Sequence, residues 1–140
     1  KSFGVSNFTA NQMDMFKGKV EVLYNQINLS LTHVDHMFDG TLEYMQANDI
    51  LPMAYSPLGS YFKKDDSKIK DVVDKLKNKY GCTDYQLLIS WLLKHPSKVY
   101  PVIGTTKSDR IKSTLESLKI EIDLIDWFEL LEASVGKRVP

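Results

Sequence analysis

Four clusters of polar residues have side chains that could hold a polar ligand. Each cluster follows a short apolar segment, and in chain order they are Ser6-Asn7, Gln26 to Asn28, Ser56 to Ser60 and Gly104 to Thr106. The amides of Asn7 and Gln26 can both donate and accept hydrogen bonds. Arg110, shortly after the last cluster, has a planar guanidinium that suits phosphate. These residue types therefore suit a ligand that includes a phosphate.

Strand and helix patterns alternate around the four clusters. The strand patterns cover residues near 2–5, 20–27, 51–55 and 99–103. Helical periods cover residues 10–17, 40–48, 67–80, 84–94, 108–118 and 123–134. Thr9-x-x-Gln12 and Thr83-x-x-Gln86 are capping boxes that predict two helix starts. Gly81 predicts a helix end, and residues 28–38 are predicted to form a loop.

This order of elements predicts an α/β fold with parallel strands joined by right-handed crossovers. Two architectures remain open, a doubly wound open sheet and half of a (β/α)8 barrel. In a barrel, all carboxyl ends of the strands lie at one rim, where the loops build the active site. In an open sheet, only the switch point binds a ligand. Because polar clusters follow all four predicted strands, the sequence favours the barrel.

The composition is that of one soluble globular domain of 140 residues, 43% hydrophobic and 26% charged. Eighteen basic and eighteen acidic residues cancel, which argues against a strongly basic nucleic-acid surface. No apolar run approaches the roughly 18 residues that cross a bilayer. A single cysteine, Cys82, cannot form an intramolecular disulfide. We expect a cytoplasmic protein that binds neither nucleic acid nor membrane.

The beginning of the chain carries a further expectation. The sequence lacks an initial Met and opens almost at once into the apolar Phe3-Gly4-Val5. We therefore expect residues 1–140 to be part of a longer polypeptide, present here as a fragment.

The most specific motif is Gly4-Val5-Ser6-Asn7-Phe8. With Asn25-Gln26-Ile27, Tyr55 to Ser60, and Val102 to Arg110, it closely resembles the aldo-keto reductase family. The motifs come in the order and at about the spacing of the family, and Ile103 to Lys107 resembles the last phosphate-binding loop of bacterial members. The resemblance implies a (β/α)8 TIM barrel, of which this chain is the C-terminal half, strands five to eight. It also implies reduction of aldehydes or ketones by hydride transfer from NADP(H), which is favoured over NAD(H).

The resemblance assigns roles at the nicotinamide and pyrophosphate of the cofactor. The carboxamide of the nicotinamide is held by Ser6, Asn7 and Gln26. The nicotinamide ring stacks on the aromatic residue that ends the third strand, which is Tyr55. The pyrophosphate is wrapped by backbone N–H groups of a loop that contains Ser56, Leu58, Gly59 and Ser60. Gly59 would allow the close backbone approach that this contact needs.

The resemblance also assigns a site for the adenosine 2′-phosphate after the fourth strand. Its residues lie at a helix N-terminus, which favours anions, and are Ile103, Gly104, Thr105, Thr106, Lys107 and Arg110. Lys107 is displaced by a couple of positions from the commoner Ile-Pro-Lys-Ser arrangement. Arg110 matches the arginine of the following helix in the family.

The chain is predicted to hold no catalytic residue. In the family, the catalytic Asp, Tyr, Lys and His lie on the first four strands, and none of these strands is in the sequence. Without the tyrosine acid and its lysine, hydride transfer has no proton donor. We therefore expect the 140-residue chain to hold a cofactor site and to be inactive by itself.

Two other functions and one metal site compete with this interpretation. The chain is alternatively a non-catalytic nucleotide-binding interaction subunit, or a half-barrel that pairs with itself rather than with a missing N-terminal half. His33, Asp35 and His36 suggest a metal site, but zinc requires three or four ligands and we expect none. The partner of the intact enzyme is a small carbonyl substrate.

Overall fold

A computed structural model describes residues 2–139 and contains one sheet of four parallel strands. The strands are β1 (Phe3–Ser6), β2 (Val22–Asn28), β3 (Leu51–Tyr55) and β4 (Tyr100–Pro101). The α-helices are α1 (Ala10–Asp14), α2 (Thr41–Ala47), α3 (Ser67–Tyr80), α4 (Asp84–Leu93), α5 (Ser108–Ser117) and α6 (Leu124–Val135). A short 3₁₀ helix, Asp35–Met37, precedes α2.

The strands lie in the sheet in their chain order, β1-β2-β3-β4, and every pairing is parallel. A doubly wound sheet reverses its strand order at a switch point, and no reversal occurs among the four strands described here. Sequential parallel strands with helical crossovers form the wall of a (β/α) barrel. The predicted α/β class is confirmed, and the topology is of the TIM-barrel type.

The two faces of the sheet differ in their contact with solvent. Asn25, Ile27 and Ala54 face the helices and are completely buried. The opposite face, here called the open face, carries Tyr24, Gln26, Met53 and Tyr100. Tyr24 is 37% and Tyr100 is 54% exposed. Parallel sheets are normally covered on both sides, so in this chain only the helix-facing side is packed like a core.

Local sequence signals determine several helix boundaries. Thr9 and Thr83 each form the complete predicted capping box with the Gln three residues on. Gly81 ends α3 in the left-handed conformation, with a φ of 60°. The predicted helix over residues 10–17 is too long, because the chain tightens after Asp14. There Phe16 and Lys17 donate to carbonyls only three residues back, at 3.0 Å each.

The predicted fourth strand, residues 99–103, is also too long. Only Tyr100–Pro101 is a strand, and the last contact with β3 is the bond from Val102 N to Ala54 O, at 2.9 Å. The pairing ends after this bond, and the chain from Ile103 onward is a loop.

Two stacked tryptophans join α4 to α6. The rings of Trp91 and Trp127 have centroids 5.4 Å apart and lie within 13° of parallel. Each indole N–H donates to the backbone carbonyl of the other residue, at 3.1 and 2.9 Å. Burial of an indole is favourable only when its N–H has a partner, and this exchange satisfies both. Both tryptophans belong to the hydrophobic core.

A polar cluster joins α3 to α6 beside this core. The carboxylate of Asp126 accepts hydrogen bonds from Lys79 at 2.6 Å and from the hydroxyl of Tyr80 at 2.5 Å. The same hydroxyl accepts from the N–H of Asp123 at 2.8 Å. Burial raises the pKa of Asp126, but the bonds from Lys79 and Tyr80 and the Lys79 charge lower that pKa below 3.8. The charged carboxylate therefore stabilises the folded state.

None of the helices within residues 2–139 is both long enough and apolar enough to cross a bilayer.

The Asp126 cluster predicts a specific pH dependence of stability. A carboxyl whose pKa is lower in the folded state stabilises the fold above its unfolded pKa, and this contribution is lost as the pH falls through the folded pKa. Asp126→Asn should lower the free energy of unfolding at neutral pH by about 1.5 kcal/mol, the lower end for a hydrogen bond to a charged group. The difference from the wild type should shrink below about pH 4.

Urea unfolding at a series of pH values measures this difference. Glu129→Gln is the control, because Glu129 lies on the same helix in an ion pair with Lys75 that is 61% exposed at the lysine. Such exposed pairs contribute little. An Asp126→Asn difference that stays constant down to the acid transition would contradict the role assigned to the carboxylate.

Candidate functional site

The ends of β1 and β2 bring three of the predicted residues together. Ser6 and Gln26 are in register, and the Ser6 hydroxyl donates to the Gln26 carbonyl at 3.1 Å. The N–H of Asn7 donates to the same carbonyl at 2.9 Å. Asn7 has a left-handed φ of 56°, which asparagine tolerates better than most residues. Ser6, Asn7 and Gln26 therefore share one rim of the sheet.

Asn25 holds the loop after β1, a role that the sequence analysis did not find. Its buried side chain donates to the carbonyl of Phe8 at 2.8 Å and accepts from the N–H of Phe8 at 3.3 Å. One amide thus satisfies both backbone groups of a residue in the neighbouring loop. The signal in the sequence is a polar residue at a helix-facing position of a strand.

A cavity of about 210 Å³ lies between the loops that follow β3 and β4. Seven of the predicted residues line it, namely Ser56, Leu58, Gly59, Ile103, Gly104, Thr105 and Arg110. Tyr85, from the first turn of α4, also lines it. The two loops are distant in sequence and meet only because β3 and β4 are paired.

A second cavity, of about 540 Å³, continues from the first. The two share Leu58, Tyr85 and Arg110 as walls. The Tyr85 hydroxyl lies 2.6 Å from the hydroxyl of Thr114 on α5, which fixes the ring between the two helices. Tyr85 was not predicted as a site residue, because its position after a capping threonine marks only a helix start. The two cavities are therefore neighbours on either side of their three shared side chains.

The remaining predicted residues lie outside both cavities. Tyr55 ends β3 in register with Asn28. Lys107 is the exposed residue before α5, and its N–H donates to the hydroxyl of Thr105 at 3.2 Å. Thr106 is exposed beside it. Ser60 lines a different cavity of about 180 Å³, together with Thr32 and Tyr61.

Tyr61 is held in its neutral form beside this smaller cavity. Burial raises its pKa to about 12, with further contributions from the negative charges of Asp84 and Asp74. The phenol is therefore uncharged at physiological pH and contributes packing to the Ser56–Ser60 loop.

Lys107 and Arg110 form no ion pair with any residue in the range 2–139. Their charges at the start of α5 suit an anion.

The loop after β3 uses its own backbone N–H groups in an unexpected way. The N–H of Gly59 donates to the carbonyl of Ser56 at 2.7 Å, and the N–H of Ser60 donates to the hydroxyl of Thr32 at 2.9 Å. In this conformation both N–H groups are engaged within the protein, and the expectation that the loop wraps a pyrophosphate stays a prediction. Ser56 and Gly59 both have left-handed φ values, of 51° and 53°. The loop is folded back on itself.

The histidines suggested as metal ligands pair instead with neighbouring carboxylates. His36 Nδ1 lies 2.8 Å from Asp39, and His33 Nε2 lies 3.7 Å from Asp35. Among residues 2–139, no group of three or more His, Cys, Asp and Glu side chains is arranged to hold a metal ion.

The parallel sheet and the cavity at its carboxyl ends define an α/β barrel-type protein with a candidate site in its strand-end loops. A sequence model of the Aldo/keto reductase family matches residues 1–134. The chain belongs to this family.

Individual relatives agree with this assignment. The chain is 34% identical over 143 residues to a 6-dehydroglucose reductase of Agrobacterium fabrum, covering 99% of this chain and 48% of the relative. It is 35% identical over 117 residues to an NADPH-dependent alpha-keto amide reductase of Saccharomyces cerevisiae, covering 79% of this chain and 36% of the relative. A crystal structure of a Bombyx mori aldo-keto reductase in complex with NADP superimposes with a TM-score of 0.80 at 22% identity, covering 94% of this chain and 44% of that one. Where the match covers nearly all of this chain, the chain spans about half the length of the curated relative. For the Agrobacterium fabrum protein the share is 48%.

Gly59 gives a stability test of the loop geometry. A Cβ at Gly59 would overlap the hydroxyl oxygens of Thr32 and Ser30, whereas a Cβ at Gly18 would meet nothing within 4 Å. Both glycines have positive φ, 53° and 76°. Gly59→Ala should cost about 1–2 kcal/mol of backbone strain and a further 1–3 kcal/mol, roughly, of overpacking.

Gly18→Ala is the matched control, because it carries the strain without the overlap. Thermal and urea unfolding of the two variants separate the contributions. Equal destabilisation by both substitutions would show that the loop does not rest on Thr32 and Ser30 as described.

Proposed function

We propose that this chain forms the cofactor-holding half, strands five to eight, of an NADP(H)-dependent reductase that converts aldehydes or ketones to alcohols. The observation that carries the proposal is the cavity between the loops after β3 and β4, together with its larger neighbour, since Arg110 lies on the wall of both. Support comes from the relatives, one of which is named as NADPH-dependent. A dinucleotide has the extended shape and the negative charge that such a site accommodates.

The residues of the rim fit a nicotinamide carboxamide. The side-chain amides of Asn7 and Gln26 have no hydrogen-bond partner among residues 2–139. Both therefore retain the donor and the acceptor that a carboxamide pairs with. Ser6 is exposed next to Asn7, and Tyr55 is on the same face of β3 as Met53, the open face. When bound, NADPH supplies a hydride to the carbonyl carbon of the substrate.

The residues of the two cavities fit the phosphates of the cofactor. Because the N–H groups of Gly59 and Ser60 are engaged within the protein, the loop offers the Leu58 N–H and the Ser56 hydroxyl to the pyrophosphate. Arg110 and Lys107 provide positive charge for the adenosine 2′-phosphate at the N-terminus of α5, where the helix dipole also favours an anion. Ile103, Gly104, Thr105 and Thr106 connect β4 to these cations.

The proton donor for carbonyl reduction is proposed to lie outside these residues. The rim of the four strands carries amides, hydroxyls and Tyr55, but no tyrosine paired with a lysine. The Tyr80–Lys79–Asp126 cluster has such groups, but it lies between α3 and α6, and burial together with the Asp126 hydrogen bond raises the pKa of Tyr80. We therefore assign the catalytic Asp, Tyr, Lys and His to a companion half-barrel that covers the open face.

The open face also favours a second candidate, a half-barrel that pairs with its own copy. β1 and β4 are the edges of the sheet, and both are parallel to their neighbours. Two copies related by a two-fold axis would place β4 of one beside β1 of the other, and the open faces would then line a common interior. Such an assembly would bind nucleotide without reducing carbonyls.

Arg110→Met tests the assignment to the 2′-phosphate. A hydrogen bond to a charged group contributes about 1.5–3 kcal/mol, so NADPH should bind roughly ten- to a hundredfold more weakly. NADH lacks the phosphate and should be little affected. Titration of the protein into NADPH or NADH, followed by the emission of the reduced nicotinamide, measures the dissociation constant of each cofactor.

Arg138→Met is the control, because it changes the net charge equally. Arg138 is exposed and lies far along the sequence from the residues that line the two cavities. The assignment fails if Arg110→Met weakens both cofactors to the same extent.

The open face predicts the behaviour of the 140-residue chain in isolation. Exposed apolar side chains and unpaired strand edges promote association, so sedimentation should show a dimer or larger species. Turnover of a reactive aldehyde with NADPH should be undetectable, because the acid and its lysine are not in the chain. A stable monomer with measurable turnover would contradict both expectations.

A further inference from the structure

Thr32 contacts the Ser56–Ser60 loop, although it belongs to none of the four motifs. Its hydroxyl oxygen accepts a hydrogen bond from the N–H of Ser60 at 2.9 Å. The same oxygen lies 3.4 Å from the hydroxyl of Ser30, which is fully buried. The Thr32 hydroxyl therefore holds the loop, and the Ser30 hydroxyl lies next to it.

The turn that carries Thr32 is fixed in place. Ser30 and His33 exchange backbone hydrogen bonds, at 3.1 and 3.0 Å. Leu29 and Leu31 are 0% and 2% exposed, so the turn is anchored in the core. The hydroxyl of Ser134, near the end of α6, donates to the carbonyl of Leu31. Thr32 thus presents its hydroxyl from a rigid support.

Gly59 allows the loop to approach this support. A side chain at Gly59 would overlap the hydroxyl oxygens of Thr32 and Ser30. From the sequence, the glycine was expected to allow the close approach of a phosphate. The structure shows a close approach of the loop to Thr32 and Ser30, neither of which lines the 210 Å³ cavity.

We infer that Thr32 is a positioning residue for the pyrophosphate of the cofactor. By holding the Ser60 N–H, it fixes the loop with the Leu58 N–H and the Ser56 hydroxyl available at the cavity. A loop ordered in advance loses less entropy when the ligand binds. The identity of the ligand rests on the proposed function, whereas the contact between Thr32 and Ser60 does not.

Amide hydrogen exchange in the ligand-free chain tests the contact itself. In the wild type, the Ser60 N–H should be protected. Thr32→Val keeps the branched shape but removes the acceptor, and should accelerate Ser60 exchange by about two- to tenfold, the equivalent of one hydrogen bond. Thr32→Ser keeps the hydroxyl and should restore protection. Thr41→Val removes a buried hydroxyl at the start of α2, whose neighbour is Asp39 and not the loop, and should leave Ser60 unchanged.

Ligand affinity tests the consequence for binding. Thr32→Val should weaken NADPH by a similar two- to tenfold, approximately. Adenosine 2′-monophosphate has the 2′-phosphate but no pyrophosphate, so its affinity should be unchanged in the same variant. A general loss of stability would weaken both ligands and would also appear in Thr41→Val.

Each result has a defined meaning. An unprotected Ser60 N–H in the wild type overturns the positioning role, and this measurement needs neither a ligand nor a variant. Equal protection of Ser60 in the wild type and in Thr32→Val also overturns it. Equal weakening of NADPH and adenosine 2′-monophosphate also overturns it. If the wild-type chain binds neither ligand, the proposed function fails, and the exchange data still decide whether Thr32 holds the loop.

Discussion

Parallel register across the sheet is the constraint on which the candidate site depends. Ser6 pairs with Gln26, Gln26 with Met53, and Met53 with Tyr100. Because all four strands run in the same direction, their carboxyl ends coincide, and the loops that leave them are brought to one rim. A shift of one residue in any pairing would turn the adjacent side chains to the other face. Strand pairing therefore determines where the site lies, and the individual loops determine only its details.

The sequence predicts best those features that depend on local contacts. The helix starts at Thr9 and Thr83 follow from hydrogen bonds within four residues, and both were predicted from the capping pattern. The length of β4 was not predicted correctly, because the point at which pairing ends depends on the neighbouring strand β3, where Met53 and Ala54 are the paired residues. The general location of the cavity followed from the polar clusters at the strand ends. Its walls include Tyr85, whose position is set by the packing of α4 against α5.

The contacts that shape the Ser56–Ser60 loop could not be predicted in the same way. Thr32 and Ser60 are 28 residues apart, and nothing in the intervening sequence marks one as the partner of the other. A glycine at position 59 was predicted for the approach of a phosphate, which stays a prediction, whereas its contact with Thr32 and Ser30 has no local signal in the sequence. Asn25 shows the same limit: an amide within a strand predicts a hydrogen bond, and only the fold shows that Phe8 receives it.

The stacked indoles of α4 and α6 give this molecule a useful optical property. The chain has two tryptophans, and both belong to that one contact, on the helical side of the sheet. Intrinsic tryptophan emission therefore reports on a single pair of helices and is insensitive to small rearrangements of the strand-end loops. Two aromatic rings in this geometry also couple electronically, so near-ultraviolet circular dichroism should carry a strong signal from the same pair. Loss of helix packing and reorganisation of the rim are thus spectroscopically separable events in one small chain.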